Sequence, residues 1–527
     1  MFCMFGECYA TELDLSSFDT SNVENMASMF SKSRAKSIDL SSFNTEKVSD
    51  MSYMFSSCHK LTELDLSSFN TSQVTTMESM FLACNELKNL KFSNISTESL
   101  TSTDRMFSQD LNLLTIDLGD SEISSTVSHN SCCSIMSKLS GTCAIKASDS
   151  FRTLLQDGEL DSAVKVIWVG ADESMPEMSP LIDSSLYYSS DFSRHCEVEV
   201  IQQASEGKGI DIVLMGDAYS DRLIDDGTYL KDANRVISAI FSAEPYASYK
   251  HLFNIYLVYL VSSNELTGKN TALVCNVYEG TTLITSDSDG MQWEYGRLAS
   301  QKKQNKFYPI VFVNDDSYHG TASLAFSVGG EENTDHNTMF ITMDSQEQEF
   351  SSTAIHEFGH SFGFLADEYP SYDEEISSSA REDAVYLTEM NPDIYRNIDF
   401  TDSTSEVKWS KFLDDDRYSN ENLGTFEGAF GYSQGVWRSS DNSVMRAGSS
   451  YNAPSREAIY LRIHKLAFGD SWMYDWETFV QQDLKNVPAT ASMNAVKTSA
   501  RNNGKSFFKI ERQMREGGQK IVKITMD

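Results

Sequence analysis

The residues with the clearest chemical potential are His356, Glu357 and His360, which form the pattern His-Glu-x-x-His. On a helix, positions i and i+4 lie on one face, so the two imidazoles can bind a single zinc ion. A catalytic zinc has three protein ligands and a water whose pKa it lowers, and a neighbouring carboxylate can accept that water's proton. We therefore predict His356 and His360 as zinc ligands and Glu357 as the general base.

Because an isolated His-Glu-x-x-His also arises by chance, the residues around it decide its interpretation. Gly363, three residues after His360, can end the helix and let the chain turn back. Asp367 and Glu368 follow within reach of a metal bound to the histidines. Far downstream, Ser443-Val-Met445-Arg446 suits a methionine turn beneath the ion, although most of the 22 methionines are expected in the core.

Tyr451 is a further candidate for a catalytic role. It stands six residues after Met445, and a phenol hydroxyl can stabilise the oxyanion of a tetrahedral intermediate. The competing interpretation is a tyrosine of an ordinary surface loop. The sequence alone leaves both interpretations open.

The segments before the histidine pattern predict an α/β domain. A helix of roughly 20 residues is expected after Tyr219, because Val236, Ile237 and Ile240 follow a helical spacing. Strands are expected where β-branched and aromatic residues dominate, at 197–201, 209–215, 253–258 and 308–313. Strands that alternate with helices indicate a sheet with helices packed on it.

Several phrases of this half, in chain order, resemble the IgA-peptidase family of zinc metallopeptidases. They are Gly216-Asp-Ala-Tyr219, Glu244-Pro-Tyr246, Phe253-Asn-Ile-Tyr256, His356-Glu-Phe-Gly-His360-Ser-Phe-Gly-Phe-Leu-Ala-Asp367-Glu-Tyr369, Asn442-Ser-Val-Met445-Arg446 and Asn452-Ala-Pro-Ser-Arg456-Glu457-Ala-Ile459. The resemblance spans about residues 195–475. It implies a metzincin-like architecture and hydrolysis of peptide bonds, with His356 and His360 as zinc ligands and Glu357 as base.

The third zinc ligand is less directly given by this resemblance. Many metzincins place it six residues after the second histidine, and that position here is Ala366, which cannot bind a metal. Asp367 is the predicted ligand, because a carboxylate oxygen completes such a site. Glu368 is the alternative. The acidic residue that does not bind zinc is expected to hydrogen-bond a ligand histidine.

The first 125 residues contain a repeat of 25 to 26 residues. A Met-Phe pair recurs at Met4-Phe5, Met29-Phe30, Met54-Phe55, Met80-Phe81 and Met106-Phe107. The phrase Leu-Asp-Leu-Ser-Ser-Phe, at 13–18, returns at 38–43 with isoleucine as its first residue and at 64–69 unchanged. One unit cannot bury its apolar side alone, whereas stacked units can, so the period predicts a solenoid. These phrases resemble the leucine-rich repeats of BspA-like bacterial surface proteins, which implies an extracellular protein whose repeats contact host or surface ligands.

Composition and charge exclude some classes of partner and site. A formal charge of −35 repels nucleic-acid phosphates, so we expect no nucleic-acid ligand. No apolar run reaches the length of a transmembrane segment. The chain begins within a repeat and has no signal peptide, so we expect an export signal to lie upstream of this sequence. None of the nine cysteines forms a Cys-x-x-Cys pair, which argues against a cysteine zinc site.

These observations predict an α/β metzincin-like zinc peptidase domain preceded by a leucine-rich-repeat solenoid. The expected divisions are repeats at 1–125, a repeat cap at 126–170, a linker at 171–194, the peptidase at 195–480, and a basic segment at 481–527 that is a tail or a small β module. The predicted function is a secreted or surface-displayed zinc endopeptidase that cleaves extracellular proteins. The alternatives are a catalytically inactive leucine-rich-repeat adhesin and a zinc hydrolase that acts on a non-peptide amide.

Overall fold

The computed structural model divides into two units, Met1–Tyr188 and Ser189–Asp527. In the first unit the structure describes residues 4–6, 8, 10, 12–58, 60–82, 84, 87–93, 95–96, 98–103, 106, 113–119, 127, 141–150, 152, 164–170, 173–176 and 186–188. In the second it describes residues 189–268, 271–278, 283–286, 291–300, 307–328, 337–487, 509–514 and 520–526. Predictions for Phe107, for most of the cap, for much of the linker and for 488–508 lie outside these residues.

Short parallel strands recur in the first unit at the period of its repeats. They are β1 (Glu12–Leu13), β2 (Ser37–Ile38), β3 (Glu63–Asp65), β4 (Asn89–Lys91), β5 (Thr115–Asp117), β6 (Gly141–Lys146) and β7 (Val164–Val169). β1 pairs with β2, and β3 to β7 form a parallel sheet in chain order. The register joins equivalent positions of successive repeats, since Leu64 lies opposite Leu90 and Leu90 opposite Ile116.

The phenylalanines of the Met-Phe pairs form a column inside the first unit. Ring centroids are 5.5 Å apart from Phe5 to Phe30, 5.5 Å from Phe30 to Phe55 and 5.7 Å from Phe55 to Phe81, with nearly parallel planes. Identical side chains meet because the backbone path is the same in successive repeats. Each repeat thereby covers the apolar side of the next repeat. The leucine-rich-repeat identity and the solenoid form stay predictions.

Polar side chains also connect residues one period apart. The Thr45 hydroxyl donates to the Asn70 carbonyl at 2.9 Å and accepts from the Asn70 N–H at 2.7 Å. Thr20 makes the same pair of bonds with Asn44. Because these threonines are buried, a shift of register would leave a buried hydroxyl and an amide without partners.

Replacing Phe55 with alanine should destabilise the first unit by about 3–5 kcal/mol, because it leaves a cavity in the middle of the phenylalanine column. Hydrogen exchange of the repeat segments across a urea series measures this unit separately from the other. The exposed Glu63→Ala is the matched control and should change the free energy of unfolding by less than about 0.5 kcal/mol. Equal effects of the two changes would contradict the column.

The second unit contains longer strands and helices. Its strands are β8 (Val198–Gln202), β9 (Ile210–Asp217), β10 (Phe253–Val258), β11 (Cys275–Val277), β12 (Ile284–Ser286), β13 (Phe307–Val313), β14 (Gly320–Val328), β15 (Thr338–Thr342), β16 (Pro370–Glu375), β17 (Ile398–Asp399), β18 (Phe426–Ala429), β19 (Gly431–Arg438), β20 (Lys509–Met514) and β21 (Lys520–Met526). Its α-helices are α1 (Asp221–Asp225), α2 (Thr228–Ile240), α3 (Tyr246–Tyr249), α4 (Met291–Ala299), α5 (Glu347–Ser361), α6 (Ser378–Met390), α7 (Ser410–Leu413), α8 (Ala453–Phe468) and α9 (Trp476–Asn486). Short 3-10 helices cover Lys250–Leu252, Asp416–Glu421 and Gly469–Ser471. Of the described helices, none has both the length and the hydropathy of a membrane span.

A mixed sheet is the frame of the second unit, in the strand order β20-β21-β14-β15-β13-β9-β10-β8. The central strands β15, β13, β9 and β10 are parallel, whereas β14 runs antiparallel to β15. Every residue of β9 and β13 is buried, as expected of parallel strands covered on both faces. This mixed sheet with its helices confirms the α/β part of the predicted fold class.

Alternate residues of β9 face one apolar core. Ile212 and Leu214 pack in a buried cluster with side chains of α2, α5 and α8. Helix α5 also lies against β14 and β15. The helix with the histidine pattern is therefore fixed between the sheet and its neighbouring helices.

One predicted helix differs from the observed structure. The helix expected after Tyr219 is two helices, α1 and α2, which are separated at Gly227. Gly227 has a φ of 83°, a left-handed conformation that glycine adopts without the steric cost of a side chain. The predicted strands at 209–215, 253–258 and 308–313 correspond to β9, β10 and β13.

Part of the basic C-terminal segment extends the main sheet. β20 and β21 pair with each other in antiparallel fashion, and β21 pairs with β14 from Ala322 to Val328. One edge of β14 is therefore paired with β15 from Gly320 to Ser323, and the other is paired with β21 from Ala322 to Val328.

Candidate metal centre

Helix α5 carries the histidine pattern on a fully buried stretch, since every residue from Thr353 to Ser361 is buried. His356 and His360 lie one helical turn apart, as the i, i+4 spacing requires. Their ring centroids are 4.6 Å apart and their planes meet at 84°. The structure thus brings the two predicted ligand histidines together.

Backbone carbonyl groups fix the orientation of both imidazoles. His356 Nδ1 lies 2.9 Å from the carbonyl oxygen of Val444, and His360 Nδ1 lies 2.7 Å from that of Leu365. Because a carbonyl oxygen only accepts hydrogen bonds, each Nδ1 is the protonated nitrogen. In the neutral ring, the Nε2 atom then carries a free lone pair.

Three acceptor atoms converge beside α5. His356 Nε2 lies 2.9 Å from His360 Nε2, and Asp367 Oδ1 lies 3.1 Å from the first and 3.3 Å from the second. All three residues are buried. With neutral imidazoles none of these three atoms bears a hydrogen, so their lone pairs repel one another unless a positive charge lies between them.

The donor set fits a divalent cation. Tetrahedral coordination at about 2.1 Å separates neighbouring ligand atoms by about 3.4 Å, and the observed separations, 2.9 to 3.3 Å, are slightly shorter. Two imidazole nitrogens and one carboxylate oxygen are ligands that zinc accepts, with a fourth position left for water. Within the described part of the chain, His356, His360 and Asp367 are the one group of three or more His, Cys, Asp or Glu placed to hold a metal.

The electrostatics of the cluster also favour a positive charge. Burial opposes ionisation of Asp367, but the two histidines hold the pKa of its carboxyl well below the usual range. Burial likewise opposes protonation of His360, yet the charges of Asp367 and Glu357 raise the pKa of its ring. The group therefore stabilises a cation, whether that cation is a proton on an imidazole or a metal ion.

A tight turn after α5 carries the chain back to the histidines. The N–H groups of Phe364 and Leu365 donate to the carbonyls of His360 and Gly359, at 3.1 and 3.0 Å. Gly363 was expected to end the helix, but the residue with the left-handed conformation is Phe364, with a φ of 55°. Gly363 is needed for close approach instead, because a Cβ there would lie 2.7 Å from the carbonyl oxygen of Gly359.

Asn397 fixes the backbone just before the third candidate ligand. Its side chain accepts from the Ala366 N–H at 2.9 Å and donates to the Ala366 carbonyl at 2.7 Å. On the other side, the Phe430 N–H donates to the Asp367 carbonyl at 2.9 Å. These bonds hold Asp367 from both sides, so its carboxylate reaches the imidazoles from a fixed backbone.

Glu368, the alternative third ligand, does not join the cluster. Its carboxylate accepts from the side-chain amides of Asn397 and Asn452 at 3.0 Å and from the Ser455 hydroxyl at 3.3 Å. Burial raises the pKa of Glu368 to about 7, although the amides of Asn397 and Asn452 oppose the shift. The expectation that the second acidic residue bonds a ligand histidine was wrong, because backbone carbonyls take both Nδ1 positions.

The segment around Met445 lies under α5. Met445 is fully buried, and a Cβ on Gly359 would lie 2.8 Å from its sulfur. The Met445 carbonyl accepts from the Glu368 N–H at 2.8 Å, and the preceding Val444 orients His356. This turn therefore touches both the first ligand histidine and the chain next to Asp367. Its role as a methionine turn beneath a metal ion stays a prediction.

Tyr451 is neither on a surface loop nor free to act on substrate in this structure. It is 1% exposed, and its hydroxyl donates to the Ile355 carbonyl of α5. Its ring packs at 6.0 Å from that of Tyr246. Burial raises the pKa of its hydroxyl. Since this hydroxyl is bonded to the helix backbone, the contact favours a packing role for Tyr451 over the predicted oxyanion role.

Glu357 lies buried next to the cluster, where α5 contacts the start of β14. A Cβ on Gly320 would lie 2.8 Å from Glu357 Cγ and 2.5 Å from Thr353 Cγ2. Glycine at this position thus gives the Glu357 side chain its space. The proximity of its charge to His360 and Tyr451 is evident from the pKa shifts of those residues.

Some residues of the centre could not be predicted from the amino-acid sequence, because their residue type does not reveal their role. Val444 and Leu365 contribute backbone carbonyls, which any residue type supplies. Gly320 acts through the absence of a side chain in a tertiary contact. Asn452 is the exception, because an asparagine before Ala-Pro-Ser predicts a helix N-cap, and it does cap α8.

Two segments of the chain match known family models. Residues 198–418 match the family model described as IgA Peptidase M64. This match supports a peptidase. It contains the whole of α5 together with Asp367, and it ends before Met445. Residues 1–115 match the model described as Mycoplasma protein of unknown function, DUF285. No curated protein matches the chain.

Asp367→Asn should weaken the binding of zinc by more than about 100-fold, since changes outside the ligand set alone cost about 10- to 100-fold. Glu368→Gln is the matched control, because its carboxylate contacts amides and a hydroxyl and bonds none of the three ligand side chains, so its loss of affinity should not exceed the lower end of that range, about tenfold. Titration in competition with a chromophoric chelator measures both. The reverse order of effects would make Glu368 the ligand.

Proposed function

We propose that this chain is a zinc-dependent endopeptidase that cleaves extracellular proteins, and that its repeats attach it to a surface or ligand. The observation that supports the enzyme most directly is the convergence of His356 Nε2, His360 Nε2 and Asp367 Oδ1. This convergence lies inside the segment that matches the IgA Peptidase M64 model. A metzincin-like arrangement of the surrounding unit is part of the proposal.

Zinc is the proposed ion because of the ligand types and their number. Imidazole nitrogen and carboxylate oxygen suit zinc, and three protein ligands leave one position open, as in catalytic rather than structural zinc sites. When bound, the ion lowers the pKa of its water and polarises the scissile carbonyl. His356, His360 and Asp367 would hold it.

Glu357 supplies the acid–base chemistry in this proposal. Its carboxylate would accept a proton from the attacking water and return it to the leaving amine. The helix places Glu357 next to His356, and Gly320 leaves space for its side chain. Burial of the residue excludes bulk water that would otherwise compete for the proton.

The neighbouring residues position these groups without touching the substrate. The carbonyls of Val444 and Leu365 keep each imidazole proton on Nδ1, so that Nε2 remains a donor of electrons. Asn397 holds the backbone next to Asp367. A site held this firmly needs little reorganisation during the reaction.

The extracellular location and the attachment role rest on the first unit. Its repeat phrases resemble those of bacterial surface proteins, and its stacked strands present one extended surface built of equivalent positions. Such surfaces are used for binding in repeat proteins. The repeats would then concentrate the enzyme near its substrate.

Glu357→Gln should reduce kcat/KM by about 10²- to 10⁴-fold while the zinc content stays equal, because the change removes the proton acceptor and keeps the side-chain volume. The assay mixes each protein with secreted host proteins and identifies fragments by mass spectrometry, with and without a chelator. The control is Glu349→Gln, an exposed position of the same helix, which should cleave like the parent.

The possible outcomes separate the competing functions. Fragments that depend on Glu357 and disappear with chelator agree with a zinc endopeptidase. Fragments that persist in Glu357→Gln would remove this residue from the mechanism. Binding of host proteins with no fragments from any variant would favour the inactive adhesin.

A further inference from the structure

Strand β16 begins three residues after Asp367 and lies almost entirely on the surface. All of its residues are exposed except Ser371, which is partly buried. Its sequence, Pro370-Ser-Tyr-Asp-Glu-Glu375, places three carboxylates in a row. Such a strand buries little apolar area, so its composition is not explained by packing.

β16 is firmly joined to the candidate metal centre. The Gly431 N–H donates to the Tyr369 carbonyl at 3.2 Å, and Phe430 holds the Asp367 carbonyl. The Tyr369 ring lies 6.2 Å from that of His356, centroid to centroid. The position of β16 relative to the three ligand atoms is therefore set by hydrogen bonds that begin at the ligand residue itself.

One edge of β16 is available for pairing. The strand pairs in parallel with β19, and no other strand in the described part of the chain adjoins it. An exposed strand edge can pair with an extended polypeptide through main-chain hydrogen bonds, with specificity supplied by the side chains nearby. A peptide paired there would lie alongside a strand that begins three residues after Asp367.

The charged side chains of β16 are all carboxylates. Asp373, Glu374 and Glu375 are exposed, and they form no ion pair with any lysine or arginine that the structure describes. Asp373 accepts only a hydroxyl, that of Ser433, at 3.3 Å. Because strand residues alternate in direction, the three carboxylates present charge on both sides of the strand.

An aromatic pair lies beside these carboxylates. Tyr372 is 38% exposed, and its ring centroid lies 6.2 Å from that of Tyr432 on β19. Tyrosine rings bind the aliphatic stems of lysine and arginine and attract their charged ends. Burial raises the pKa of Tyr432, and the charge of Glu374 adds to this shift, so the carboxylate is close to the ring.

We propose that β16 is a docking edge for the substrate, and that it selects extended polypeptides with lysine or arginine near the cleaved bond. Asp373, Glu374 and Glu375 lie six to eight residues after Asp367. Because a strand paired with β16 advances about 3.3 Å per residue, as β16 does, the selected positions lie within about eight residues of that bond. This inference rests on the proposed peptidase function and names its substrate class.

Cleavage profiling of long peptides tests the preference. A proteome cut only at glutamate supplies peptides with internal lysine and arginine, and mass spectrometry of the products locates each new end. For the parent chain, basic residues should be enriched about two- to fivefold at the selected positions, which is the effect of exposed charge pairs. The triple variant Asp373→Asn, Glu374→Gln and Glu375→Gln should lose this enrichment.

A matched control separates the local effect from the overall negative charge. Three exposed glutamates outside β16 serve for it, in the triple variant Glu382→Gln, Glu389→Gln and Glu406→Gln. This control should keep the profile of the parent. If the control and the β16 variant lose the enrichment equally, or if the parent shows none while it cleaves, the docking edge is wrong and the peptidase survives. If the parent cleaves nothing, the peptidase itself fails.

Binding to an inactive chain gives a second measurement that needs no turnover. Glu357→Gln is combined with each triple variant, and the probe is a fluorescent peptide of alternating lysine and threonine, followed by anisotropy. The β16 variant should bind it about tenfold more weakly than the control, and added salt should reduce the difference. Equal affinities of the two variants, or equal binding of a peptide of alternating glutamate and threonine, would overturn the inference.

Discussion

The convergence of two imidazole nitrogens and a carboxylate oxygen in a buried volume is the constraint on which the second unit depends. Separations of 2.9 to 3.3 Å between groups without shared hydrogens are unfavourable in isolation. The fold must therefore hold these groups against their repulsion until a cation compensates it. Each element near the centre contributes to this, from the packing of α5 on β14 and β15 to the turn that returns Asp367 to the histidines.

The sequence was sufficient for the parts of this centre that follow from spacing. His356 and His360 share a helix face whatever else surrounds them, and Glu357 follows from its place between them. The helix is indeed present, and its part from Thr353 to Ser361 is buried. The choice between Asp367 and Glu368 rested on ligand chemistry, since the two residues are adjacent. Only the hydrogen bonds of Asn397 and Asn452 show which carboxylate turns away from the imidazoles.

What could not be predicted arises from contacts between distant segments. No local pattern indicates that Val444 accepts from His356, or that a Cβ on Gly320 would press on Glu357. The packing contact of Tyr451 could not be predicted for the same reason, because its hydroxyl reaches the helix carbonyl of Ile355 only through the tertiary fold. In the first unit the situation is reversed. Its contacts join equivalent residues one period apart, so the repeat itself indicated which side chains would meet.

The strands β14 and β16, which both adjoin residues of the candidate metal centre, differ in whether their edges are paired, and this difference bears on substrate binding. β14 touches Glu357 through Gly320, and it pairs with β15 from Gly320 to Ser323 and with β21 from Ala322 to Val328. β16 is paired by β19 and by no further strand of the described residues. An extended chain that pairs with Ala322–Val328 of β14 on the side opposite β15 must displace β21, whereas one that pairs alongside β16 displaces no described strand. β16 thus has an unpaired edge and the exposed carboxylates of residues 373–375. Together these features favour the binding of an extended, basic polypeptide along β16.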